Sequence, residues 1–145
     1  DVHHGNGTED IVAGDERILM ASFFQHPFYP EGGSTKTDAN LVNCPVSAYT
    51  KGMEIRELIE LMWIPRLEAH RPEMIFISAG FDAHREDDMG QLGLNEQDYA
   101  WMTQRIKDIA QRFSKGRIIS CLEGGYNLNA LARSVEAHVR VLADV

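Results

Sequence analysis

Met74-Ile-Phe-Ile-Ser-Ala-Gly-Phe-Asp82 decides the reading of the fold: a short apolar run stops at a glycine and sets a carboxylate just past the break. The run is far shorter than a helix needs and reads as a buried strand. Two other runs have the same form, Ile18-Leu-Met-Ala-Ser-Phe-Phe24 and Arg117-Ile-Ile-Ser-Cys-Leu122, and Leu41 to Val46 is a shorter fourth candidate. Helical spacing lies between and after them. Tyr99, Met102, Ile106, Ile109 and Phe113 share one helix face, as do Leu128, Leu131, Val135, Val139 and Leu142, and both faces are expected to join the core. Met53 to Ala69 is apolar on more sides, with Pro65 expected to kink or break it, and Gly116 is a plausible helix stop. Gln25 to Asn40, QHPFYPEGGSTKTDAN, has neither period and is expected to be a long surface loop. Strands alternating with helices predict an α/β fold: a parallel sheet covered by helices on both faces, with chemistry in the loops beyond the strand carboxyl ends.

A chain of 145 residues with 43% hydrophobic content supports one domain spanning residues 1–145. The 22 acidic residues against 14 basic ones give a charge of -8, which argues against non-specific binding to nucleic acid or an anionic membrane and favours a cationic substrate. No apolar run approaches the ~20 residues of a membrane span, so a cytoplasmic protein is expected. Cys44 and Cys121 lie far apart inside apolar runs and read as buried thiols.

Three polar motifs fall in the loops. In Asp1-Val-His3-His-Gly-Asn-Gly-Thr8, an extended backbone would turn Asp1 and His3 to one side, a natural pair of ligands for one ion. Taken alone such a triplet serves surface or capping roles as readily, and Thr8 is placed to cap a short helix over Glu9 to Val12. In Ser78-Ala-Gly-Phe-Asp82-Ala-His84, Asp82 is either a third ligand or a cap of the following loop, while His84, Asp87 and Asp88 read as a solvated charged run. In Leu122-Glu-Gly-Gly-Tyr126-Asn127, paired glycines permit close backbone approach and set Tyr126 at the rim, either as ordinary packing or as an oxyanion donor.

DVHHGNGTE, SAGFDAH and EGGYN, in this order and at these intervals, resemble the arginase/deacetylase superfamily. Within it they resemble the histone deacetylase and acetylpolyamine amidohydrolase family, with Asn6 and Glu123 pointing to class II and its bacterial relatives. The resemblance covers nearly the whole chain. It implies the arginase/deacetylase fold, of which this would be the C-terminal portion of a single deacetylase domain. It also implies zinc held by Asp1, His3 and Asp82, a transition-state role for Tyr126, His4 and Asn6 as residues that orient ligands and neighbouring groups, and Gly124 and Gly125 in the loop of the substrate channel. A structural potassium ion is implied at the backbone of Asp1 and His3 with Ser22 and Phe23, and a second monovalent site is less specified in the Val12 to Ile18 loop. The substrate implied is an acetylated amine, acetyl-lysine or an acetylpolyamine. The family's upstream His-His pair, its general base and acid, has no counterpart before Asp1. The chain is therefore expected to be a fragment, inactive when isolated, whose exposed apolar surface would favour a homo-oligomer. Two other readings are a non-catalytic metal-binding or interaction module and a binuclear manganese ureohydrolase on the same fold.

Overall fold

In the computed structural model, which describes residues 1–31 and 38–145, all four apolar runs form strands: β1 (Met20–Gln25), β2 (Leu41–Val46), β3 (Ile75–Ala79) and β4 (Ile118–Leu122). Residues 32–37 of the predicted long loop lie outside the described residues. β1 pairs in parallel with β2, Met20 opposite Leu41, and β3 pairs in parallel with β4, Ile75 opposite Ile118. The helices are α1 (Asn6–Val12), α2 (Gly52–Leu58), α3 (Ile64–His70), α4 (Glu96–Phe113) and α5 (Leu128–Ala143). Parallel neighbours need a crossover, and α4 supplies it between β3 and β4. None of these helices is long and apolar enough to cross a membrane.

Pro65 neither stops the helix nor leaves it regular. A π turn, Ile59–Trp63, joins α2 to α3, with Leu58, Ile59, Trp63 and Ile64 all in right-handed helical geometry. The Ile64 N–H reaches five residues back to the Ile59 carbonyl. Widening one turn accommodates the N–H that proline lacks, and the chain passes through without a break. The turn faces the sheet, where Trp63 stacks on Phe23 at 5.8 Å.

Both long helices begin on asparagine caps. Asn95 accepts from Gln97 N–H while Asp98 reaches back to Asn95 N–H, and Asn127 accepts from Ala130 N–H. α1 departs from expectation: it starts at Asn6 behind Gly5, no side chain caps it, and Thr8 lies inside it. The expected core face of α5 holds at its centre, where Leu131 and Val135 pack against the core, and fails at its edges. Leu128 is 76% exposed and Val139 49%, whereas the buried stripe is Ala130, Ser134 and His138, one residue over. Small and polar side chains bring α5 close to α4, and His138 is satisfied there: its Nδ1 meets Thr103 Oγ1 at 2.7 Å and its Nε2 meets Ser120 Oγ at 2.8 Å.

Thr103 gives its only proton to the Tyr99 carbonyl, so it can only accept from His138, which fixes the neutral tautomer with the proton on Nδ1. Burial lowers the His138 pKa from its ordinary value. The unfolded chain binds a proton near about 6.5 and the folded ring only below that. The contribution of His138 to stability is therefore full above about 6.5 and is lost as the pH falls further. The urea midpoint should drop between about pH 7 and pH 5, and His138→Gln should flatten that slope; an unchanged slope would count against this account.

α5 meets one face of the β3–β4 pair through His138 on Ser120. On the other, Phe76 is 71% exposed and Ile119 43%, and their neighbours Ser78 and Cys121 are exposed as well. Cys44 is buried as expected, but Cys121 is exposed, on the same face as Phe76 and Ile119. At the other end of the fold, the carbonyls of Val12, Asp15 and Ile18 converge on Asn40 Nδ2 at 2.7, 3.2 and 3.0 Å. The Asn40 Oδ1 takes the Gly14 N–H at 3.0 Å, so one side-chain amide ties together the loop before β1.

Candidate metal centre

The site is assembled around Val2, which is fully buried. Its carbonyl accepts from Gln25 N–H (2.9 Å) at the end of β1, and its N–H donates to Asp82 Oδ1 (2.7 Å) beyond the end of β3. The first three residues thereby bridge the carboxyl ends of two strands, the position at which α/β sheets carry their chemistry. With Val2 pinned, Asp1 and His3 face the same side. His3 Nδ1 lies 3.1 Å from Asp1 Oδ1 and 3.1 Å from Asp82 Oδ2, and one ligand atom from each residue fits within 4.8 Å of the others. The loop after β4 closes the third side: Gly124 N–H donates to Asp1 Oδ2 at 3.1 Å, and Phe81 N–H donates to the Gly124 carbonyl at 2.8 Å.

This donor set calls for a cation. Asp82 is fully buried and the side chains of Asp1 and His3 are about one-fifth exposed, yet one imidazole nitrogen can turn a proton toward only one of two carboxylates. Two carboxylate oxygens and an imidazole nitrogen, with one side open, fit a zinc ion and leave room for a fourth ligand; the set is not specific to zinc.

The other predicted residues are placed as follows. His4 turns away from the cluster and is buried, its Nε2 3.0 Å from Glu9 Oε2 and its ring 4.3 Å from that of Phe24. Glu9, also buried, accepts from Asn43 Nδ2, so this chain of groups fastens α1 to β2 behind the candidate ligands. Asn6 is exposed at the first position of α1. Ser22 lies opposite Asn43 and Phe23 opposite Cys44 in β1, whose last residue, Gln25, holds Val2. Tyr126 follows Gly124 and Gly125 at the rim with its side chain half-exposed.

Two features lay outside the sequence reading. Phe28 stacks on the His3 ring at 5.4 Å and Tyr29 meets it edge-on at 6.1 Å, so the segment from His26 to Glu31 forms an aromatic wall of an open cleft beside His3. That segment has no periodicity to betray its role. The run after Asp82, expected to be solvated, is partly buried: His84 is 1% exposed and Asp87 5%. Each is accommodated by main-chain donors, Glu86 N–H on His84 Nδ1 and Met89 N–H on Asp87 Oδ1. His84, Glu86 and Glu96 form a second cluster of ligand types, but Arg133 pairs with both carboxylates, and its hydrogen bond draws the Glu96 carboxyl down to about 2. The Arg133 guanidinium thus already supplies a cation to that cluster.

Residues 1–142 match the histone deacetylase domain. The chain is 41% identical to type-2 histone deacetylase 2 of Dictyostelium discoideum, over 99% of this chain and 9% of that protein, and 37% identical to a probable deacetylase of Archaeoglobus fulgidus, over 88% and 37%. The crystal structure of the HDA15 HD domain superposes with a TM-score of 0.92 at 32% identity, over 99% of this chain and 43% of that one. The histone deacetylase Clr3 gives 0.89 at 29%, over 100% and 26%. The chain thus spans less than half the length of each of these relatives. It belongs to the histone deacetylase domain family.

Proposed function

We propose that this chain carries the metal ligands and the oxyanion donor of a zinc-dependent amidohydrolase that removes acetyl groups from acetyl-lysine or acetylated polyamines. The observation that supports the reading most directly is the convergence of Asp1, His3 and Asp82 at the strand ends, with the Tyr126 loop bonded to one of them. Zinc at those residues would supply Lewis acidity, polarising an amide carbonyl and acidifying water toward a pKa of about 7. The protein's own part is electrostatic and positional. Gly124 N–H orients the Asp1 carboxylate, Val2 N–H orients that of Asp82, and the Phe28 and Tyr29 rings beside His3 offer apolar walls to an acyl-amine chain. The Tyr126 hydroxyl donates to the oxygen that becomes negative as the carbonyl carbon turns tetrahedral. The net charge of -8 attracts a cationic amine substrate. The same reading assigns a structural potassium ion to the backbone of Asp1 and His3 with Ser22 and Phe23.

The test is turnover of acetyl-lysine peptide and acetylpolyamine by the full-length protein carrying this sequence, with and without chelator. Tyr126→Phe should lower kcat by about 10²–10³-fold, the cost of one oxyanion donor, with zinc content unchanged. An unaltered kcat would remove Tyr126 from the mechanism.

A further inference from the structure

We infer that Asp87 is a positioning residue that acts through Tyr126, an inference resting on the oxyanion role proposed above. The Tyr126 side chain is 54% exposed, so its direction depends on how its backbone is anchored. That anchor is one carboxylate. Asp87 Oδ2 accepts from Tyr126 N–H at 2.7 Å and from Asn127 N–H at 3.0 Å, while Oδ1 accepts from Met89 N–H at 2.9 Å. A buried carboxylate is costly unless its lone pairs are filled, and three amide donors fill them with charge-assisted bonds, stronger than neutral ones.

The arrangement spans the two halves of the site. Asp87 lies five residues past the ligand Asp82, and its own N–H is tied to the His84 carbonyl at 2.9 Å. At Gly90 the same segment folds back so closely on Asp82 that a Cβ there would lie 2.7 Å from the Asp82 carbonyl oxygen. Asn127 adds a bond from Nδ2 to the Glu86 carbonyl at 2.8 Å. The tyrosine loop is thus held at Gly124 by Asp1 and at Tyr126 and Asn127 by Asp87, and its position relative to the metal ligands is fixed on both sides of Gly125.

The test is a double-mutant cycle in the full-length zinc-loaded protein. Asp87→Ala should lower kcat by about 10–100-fold with KM little changed and zinc content intact, and Asp87→Asn, which keeps one acceptor, should recover part of the loss. In a Tyr126→Phe background the same Asp87→Ala should cost less than about threefold, because the group it positions is already gone. Independently of activity, the Tyr126 and Asn127 amides should exchange hydrogen at least about tenfold faster in Asp87→Asn. Equal losses of kcat in both backgrounds, loss of zinc with Asp87→Asn, or unchanged amide exchange would each overturn the inference. If Tyr126→Phe alone left kcat unaltered, the oxyanion reading would fail instead.

Discussion

Gly124→Ala is expected to cost this protein its proposed metal site. A Cβ at position 124 would lie 2.0 Å from Asp82 Oδ2, 2.6 Å from its Cγ and 3.0 Å from Asp1 Oδ2. Neither side can yield. Asp82 is fully buried and held by Val2 N–H, and the backbone at 124 is fastened through its N–H to Asp1 and through its carbonyl to Phe81. Overpacking of this kind costs about 1–3 kcal/mol. Because the atoms displaced are the oxygens proposed to hold zinc, zinc affinity should fall by more than the about 10–100-fold that loss of an orienting partner costs. Competition against a chromophoric chelator measures the second effect and thermal melting the first. Gly7→Ala is the control: nothing lies within 4 Å of the added carbon, the residue is within α1, and alanine favours a helix by about 0.5–1 kcal/mol. If Gly124→Ala bound zinc as tightly as the parent, the packing of the tyrosine loop on the ligands would be wrong.

What could be read before the structure was whatever depends on neighbours in sequence. The β3 run and its terminal Gly80-Phe-Asp82 needed only apolar continuity and a break, and Asp1-x-His3 needed only the alternation of an extended chain. The rest is settled by partners far along the chain. α5 buries Ser134 and His138 in place of Leu128 and Val139, which no apolar period could indicate, since the histidine is made acceptable by Thr103 on α4 and Ser120 on β4. Asp87 looked like part of a charged surface because its acceptor capacity is filled by amides 39 and 40 residues away. His4 and Glu9 gave no sign of being a buried pair, since their partner Asn43 belongs to the next strand. Cys121 differs for a reason of coverage: its strand is apolar, but the face it occupies is bare.

Asp82→Asn is expected to separate the metal's contribution to stability from the fold's. Asparagine keeps the shape of the side chain, its Oδ1 can still accept from Val2 N–H, and its Nδ2 can donate to His3 Nδ1 in the neutral imidazole. It also removes a fully buried negative charge that faces Asp1 across His3, so without metal the variant should melt no lower than the parent. With metal the order reverses. Zinc at about 100 times its Kd should stabilise the parent by about 2.7 kcal/mol, whereas the variant, left with one carboxylate and one imidazole, should gain almost nothing. The comparison uses the full-length protein, melted in chelator and in a zinc series, and is independent of turnover. An equal zinc-induced rise in both proteins would mean that the ion binds elsewhere, and a large drop for the variant in chelator would mean that Asp82 is present for structure and not for metal.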